Sequence, residues 1–64
     1  MRQTEFWQRM ERRFGGAYAR SYAADQVLAT LAGRTVVQAL EDGEDVKRVW
    51  RAVCEAGQVP ASEH

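Results

Sequence analysis

The chain contains few of the residues that build covalent or metal-bound sites, since it has one cysteine, Cys54, and one histidine, His64. A single cysteine cannot form an internal disulfide, and one thiol with one imidazole cannot complete a structural metal site. A catalytic triad needs a histidine that is held in place, whereas His64 is the last residue. The sequence therefore predicts no catalytic residue, no metal and no cofactor, and we do not expect an enzyme.

Long apolar runs and an excess of charge of one sign are also missing. No stretch is long and apolar enough for a signal peptide or a membrane span, which predicts a cytoplasmic protein without membrane contact. Nine basic and nine acidic residues cancel, so the general attraction to phosphates typical of nucleic-acid binders is absent. The charge is nevertheless uneven, because residues 1–34 hold six arginines and three acidic residues, and residues 35–64 reverse that ratio.

Helical periodicity dominates the first segment. Thr4 is predicted as the N-cap, and Glu5 suits the positive end of the helix dipole. Apolar residues then recur at helical spacing until a pair of glycines ends the pattern: Phe6, Trp7, Met10 and Phe14, followed by Gly15 and Gly16. These features predict an amphipathic first helix.

Residues 17–32 are rich in alanine and lack proline, which favours helix, but their apolar pattern changes phase. Tyr18 and Tyr22 lie on one side of an ideal helix, whereas Val27, Leu28 and Leu31 fall nearly opposite. The segment could form one helix or two. We expect a helix to about residue 23 and a second from about residue 26, with Asp25 as its N-cap.

Two further helices are expected in the second half. Thr35 and Gln38 have the spacing of a capping box, and Gly43 ends the helix that they begin. Asp45 is predicted to cap a last helix over residues 46–56. The predicted fold is all-α, a compact single-domain bundle of four to five short helices over residues 1–60, with a frayed tail at residues 61–64.

The last helix has one apolar face that is predicted to point into the core. Its members follow the i, i+3, i+4, i+7 rule, with Ala56 extending the face: Val46, Val49, Trp50, Val53 and Cys54. Buried cysteine acts as a small hydrophobic residue, so Cys54 is expected to be inert.

The basic residues suggest two kinds of contact. Arg9, Arg12 and Arg13 on the first helix are candidates for binding a protein partner, although Glu5 and Arg9 also form an i, i+4 pair within the helix. Lys47, Arg48 and Arg51 on the last helix are the candidate contacts of an alternative, in which residues 36–53 form a helix-turn-helix that binds nucleic acid. Asp42 and Glu44 in its turn argue against that alternative, because they would repel phosphates.

Four segments, "TEFWQRMERRFG", "LAGRT", "ALEDG" and "VWRAVCEAGQVP", together resemble a family of short actinobacterial proteins known only as a domain of unknown function. The resemblance runs from residue 1 to about residue 60. It implies a compact helical protein that is not secreted and carries no family catalytic residues. Because family members are often encoded near RecA and RecX, it also implies a DNA-repair setting by association.

Arg34 lies between Gly33, which is expected to end one helix, and Thr35, which begins the next. Its side chain is expected to hold this corner by donating hydrogen bonds to free carbonyls, with a contact to a partner as the alternative. Together these features predict a non-catalytic interaction or regulatory module whose partner is another protein or a second copy of the chain.

Overall fold

A computed structural model describes residues 1–59. Four α-helices contribute most of the structure, and a short two-stranded antiparallel ribbon lies between the second and third. In chain order the elements are α1 (Gln3–Phe14), α2 (Gly16–Asp25), β1 (Val27–Leu28), a 3₁₀ turn (Ala29–Leu31), β2 (Arg34–Thr35), α3 (Val36–Glu41) and α4 (Val46–Ala56). The predicted tail at residues 61–64 and the predicted domain end at residue 60 lie outside the described residues.

Helix α1 buries the apolar face that its periodicity predicts, with Phe6 and Met10 fully buried. Its start differs from the prediction, because Arg2 rather than Thr4 occupies the N-cap position and makes no side-chain capping bond. The predicted end is confirmed at Gly15, whose amide donates to the carbonyl of Glu11 at 2.8 Å.

The predicted break in the alanine-rich segment is present, but a short strand comes after it in place of the second helix. Helix α2 ends at Asp25, which is therefore the last helical residue and not an N-cap. Ala19 and Ala23 are fully buried, and such small side chains let α2 lie close to its neighbours.

The ribbon after the break makes the all-α prediction too narrow. Val27 pairs with Thr35 and Leu28 with Arg34, and the 3₁₀ turn lies between the two strands. Leu28 and Leu31 are buried, so the ribbon adds two side chains to the core. The fold is mostly helical and includes this one short sheet among its described residues.

Helix α3 begins with the predicted capping box. The Gln38 amide donates to Thr35 Oγ1 at 3.1 Å, and the Thr35 amide donates to Gln38 Oε1 at 3.0 Å. Two amides that a helix start leaves without partners are thereby satisfied. Asp45 also occupies its predicted N-cap position, before α4, but its side chain makes no capping bond.

Helix α4 points Trp50 and Cys54 into the core, as predicted, since each side chain is only 3% exposed. Ala56, which the sequence predicts as an extension of the buried face, is exposed, whereas Ala52 is buried. The ring of Trp50 meets that of Phe6 edge to face, with 6.0 Å between the ring centroids. This aromatic contact joins α4 to α1, and its position determines which side chains flank the seam between the two helices.

Candidate functional site: a basic cleft between the first and last helices

A concave surface with a volume of about 450 Å³ lies between α1 and α4. We call it the basic cleft. The residues that line it are Met1, Glu5 and Arg9 from the N-terminal segment and α1, and Lys47, Trp50, Arg51 and Cys54 from α4.

The helical repeat explains how α4 supplies its part of the basic cleft. Lys47, Trp50, Arg51 and Cys54 follow the spacing i, i+3, i+4 and i+7, so they form one stripe along the helix. Trp50 and Cys54 are on the buried side of this stripe, and Lys47 and Arg51 are on its exposed side. The cleft therefore has an apolar side near the core and a cationic rim.

Helix α1 contributes one ion pair to the opposite rim. Arg9 Nη2 lies 3.4 Å from Glu5 Oε1, one helical turn away. Lys47 and Arg51 have no such carboxylate partner within residues 1–59. Within residues 1–59, three cationic side chains and one carboxylate thus line the same concave surface, and this part of the chain gives it a net positive charge.

The thiol of Cys54 lines the cleft but is poorly suited to nucleophilic chemistry. Burial raises its pKa above the ordinary value, and the nearby charge of Arg9 opposes this rise without cancelling it. The thiol is consequently protonated at neutral pH, whereas the thiolate is the reactive form. This agrees with the prediction that Cys54 is an inert core residue.

The structure regroups the basic residues that the sequence separated. Arg9 from the first candidate set joins Lys47 and Arg51 from the second in the basic cleft. Arg12 and Arg13 are exposed and do not line it. Arg48, the third member of the second set, does not line the cleft either.

Arg48 faces the acidic turn that precedes α4. Its Nη1 lies 4.0 Å from Glu44 Oε1, although the Arg48 side chain is 68% exposed. Lys47 and Arg51 thus line the cleft while Arg48 lies outside it on the exposed side of α4, and the nucleic-acid alternative stays a prediction. The stripe of residues 47, 50, 51 and 54 is a usable sequence signal for the cleft, whereas the spacing of Glu5 and Arg9 indicates only a pair within α1.

Arg34 holds the corner between the ribbon and the acidic turn. Its Nε donates to the carbonyl of Leu31 at 2.8 Å, its Nη1 donates to Asp42 Oδ2 at 3.1 Å, and its Nη2 donates to Glu44 Oε2. The hydrogen bonds that Arg34 donates, to Glu44 first and to Asp42 second, raise the pKa of Arg34 above its ordinary value. The structural role predicted for Arg34 is confirmed, and the turn carboxylates that weakened the helix-turn-helix interpretation have a structural use.

Two other kinds of site have no support among residues 1–59. No group of three histidine, cysteine or acidic side chains is placed to hold a metal ion. None of the helices in this range has the length and apolar character needed to cross a bilayer.

Comparison with known protein families gives a match to one described as "Protein of unknown function (DUF3046)", over residues 1–62. The chain belongs to the DUF3046 family. No curated protein and no solved structure matches it. Membership of DUF3046 agrees with the resemblance to a small family of unknown function, and a role for the chain has to be argued from the basic cleft.

Proposed function

We propose that this DUF3046 chain is a non-catalytic cytoplasmic module that binds another protein in the basic cleft. The observation that carries the proposal is the convergence of cations from two distant parts of the chain, Arg9 from α1 and Lys47 and Arg51 from α4, around an aromatic ring. A concave surface whose lining has a net charge attracts and orients a ligand of the opposite sign.

The groups in the cleft support binding rather than catalysis. The Cys54 thiol is held in its protonated form by burial, and Glu5 is exposed and paired with Arg9. Arginine and lysine side chains can hold an anionic group in place without reacting with it.

A protein partner fits the basic cleft better than nucleic acid does. Among residues 1–59, three cationic side chains line the cleft, and Glu5 lies among them, whereas nucleic-acid binders draw most of their affinity from many phosphate contacts. Met1 adds an exposed apolar side chain to the lining, which suits the mixed chemistry of a protein surface. The balanced charge of the whole chain points the same way.

Photo-crosslinking in living cells tests this proposal. A photoreactive amino acid at position 47 is expected to trap one predominant protein, because the side chain at this position lines the cleft. The same amino acid at position 12 is the matched control, since Arg12 is an exposed α1 residue outside the cleft. Equal adducts at both positions, or none at position 47, would contradict the proposal.

The identity of the trapped protein also tests the cellular setting implied by the sequence resemblance. If the chain is an actinobacterial protein acting beside RecA and RecX, the adduct at position 47 is expected to contain a DNA-repair protein. An adduct with a protein of unrelated function would leave the cleft as a docking site and remove the link to repair.

A further inference from the structure

The basic cleft already contains one carboxylate, and its position suggests what the partner provides. Glu5 lies on the rim and pairs with Arg9 at 3.4 Å, while Lys47 and Arg51 on the opposite rim have no ion pair within the described range 1–59. On the basis of the proposed function, we propose that Glu5 occupies the place of a partner carboxylate, and that the partner inserts an acidic segment with an apolar side chain.

The spacing of the cations fits a regular segment with carboxylates. Lys47 and Arg51 are one helical turn apart, so they are separated by about 6 Å along the axis of α4. Acidic residues at i and i+4 of a partner helix, or at i and i+2 of a partner strand, repeat at about the same distance. One carboxylate can then meet each cation on this rim.

The apolar part of the cleft accounts for the second element of the partner. Trp50 and Cys54 belong to the lining, but each is only 3% exposed, whereas Met1 is 38% exposed and within reach of a partner. Methionine is unbranched and adaptable, so it packs well against an aliphatic side chain. An acidic segment with one leucine-like residue on the same face as its carboxylates therefore matches both the rim and the exposed apolar part of the lining.

The pair between Glu5 and Arg9 is of a kind that can be exchanged. Glu5 has 51% of its side chain exposed, and the contact of 3.4 Å is long for a charge-assisted hydrogen bond. Exposed i, i+4 pairs contribute little to stability, so an incoming carboxylate can replace Glu5 at Arg9 at small cost. In this arrangement Glu5 competes with the partner from within the chain and lowers its affinity.

Titration of the protein with short capped peptides, followed by NMR, tests the inference directly. The probe carries one leucine on the same face as two glutamates, and its control has glutamine in place of each glutamate. We expect the acidic peptide to shift the indole signal of Trp50 and to leave that of Trp7 unchanged, because Trp7 does not line the cleft. The shift should weaken as salt is raised, because exposed charges are screened.

Substitution of Glu5 gives the result that distinguishes this inference from a simple charged patch. Glu5→Gln keeps the size of the side chain and removes the competing charge, so affinity for the acidic peptide should rise about threefold. Arg51→Gln should lower the affinity by a similar factor, and the control Arg12→Gln should leave it unchanged. Circular dichroism of each variant confirms that the fold is retained.

Three outcomes overturn the inference. Affinity that falls or stays constant in Glu5→Gln removes the competing role of Glu5. Equal binding of the glutamine peptide removes the need for carboxylates. Binding of a short DNA duplex, but not of the acidic peptide, assigns the cleft to phosphates instead. A protein adduct at position 47 together with no acidic-peptide binding would leave the proposed function standing while this inference fails.

Discussion

Two residues stand at N-cap positions in the second half of the chain, Thr35 before α3 and Asp45 before α4. Both are residue types that favour this position. Only Thr35 uses its side chain, which accepts a bond from the amide of Gln38 as part of the reciprocal capping box. At the scale of single residues, the N-cap side chain therefore contributes more to the stability of α3 than to that of α4.

We expect Thr35→Ala to lower the free energy of unfolding by about 1–2 kcal/mol, because the amide of Gln38 loses its acceptor, Thr35 Oγ1, and the reciprocal capping box is broken. Asp45→Ala should cost less than about 0.5 kcal/mol, since its side chain makes no capping bond. Urea unfolding of both variants measures the difference. Thr35→Ser keeps the hydroxyl and should recover most of the loss, and equal costs at positions 35 and 45 would contradict the assignment.

At the scale of elements, Gly15 and Gly16 have different tasks although they are adjacent. Gly15 separates α1 from α2 and has φ 85° and ψ 152°, a region that residues with a side chain rarely enter. Gly16 is the first residue of α2, and a Cβ built there would meet no atom within 4 Å. The junction of the two helices thus depends on one glycine of the pair.

Alanine substitution should separate the two positions. Gly15→Ala is expected to lower the free energy of unfolding by about 1–3 kcal/mol through backbone strain, because space for the Cβ is available there. Gly16→Ala is expected to stabilise the protein by about 0.4–1 kcal/mol by restricting the unfolded chain. Thermal and urea unfolding of the two variants measure the difference. A loss of stability of similar size at both positions would contradict the prediction, because the junction would then require both glycines.

Helical elements could be predicted where one apolar face is continuous, and this holds for α1 and α4. The ribbon could not be predicted, because strands of two residues are too short to produce alternation. Its pairing joins Leu28 to Arg34 across a turn containing Ala32 at φ 58°, which is a tertiary arrangement and not a local preference. The change of apolar phase after Tyr22 was a reliable sign of a break, but it did not distinguish a strand from a second helix beyond it.

At the scale of the whole molecule, the basic cleft exists because α1 and α4 meet through Phe6 and Trp50. The sequence identified each basic side chain but placed Arg9 and Arg51 in separate candidate sites. Periodicity defines the faces of one helix, and it does not specify which edge of another helix lies beside them. The composition of the cleft therefore had to come from the tertiary structure.

The folded molecule should lose stability in alkali. Burial raises the pKa of Cys54, and burial followed by the charge of Tyr18 raises that of Tyr22. Both groups hold their protons more tightly in the folded state. The free energy of unfolding that they contribute is therefore fully present below the unfolded pKa values, about 8.5 for a thiol and about 10 for a phenol. That contribution is lost as pH rises through the folded values.

Urea unfolding between neutral pH and about pH 11 measures this decline, whose first part belongs to the thiol. Cys54→Ala should flatten the decline that begins near the thiol pKa and leave the later decline of Tyr22. Arg9→Gln should make the first part steeper, because Arg9 opposes the rise in the pKa of Cys54. An unchanged slope in Cys54→Ala would show that the thiol titrates alike in both states.

The ion pairs of Arg34 change the distribution of charge in the folded molecule. Along the chain, the first half has more basic residues and the second has more acidic ones. Folding nevertheless pairs Arg34 with the acidic turn and brings Lys47 and Arg51 beside Arg9. Diffusional encounter with an anionic molecule is guided by this folded distribution of charge and not by its order in the chain. Approach is consequently directed to the seam between the two terminal helices, and the on-rate there is sensitive to ionic strength.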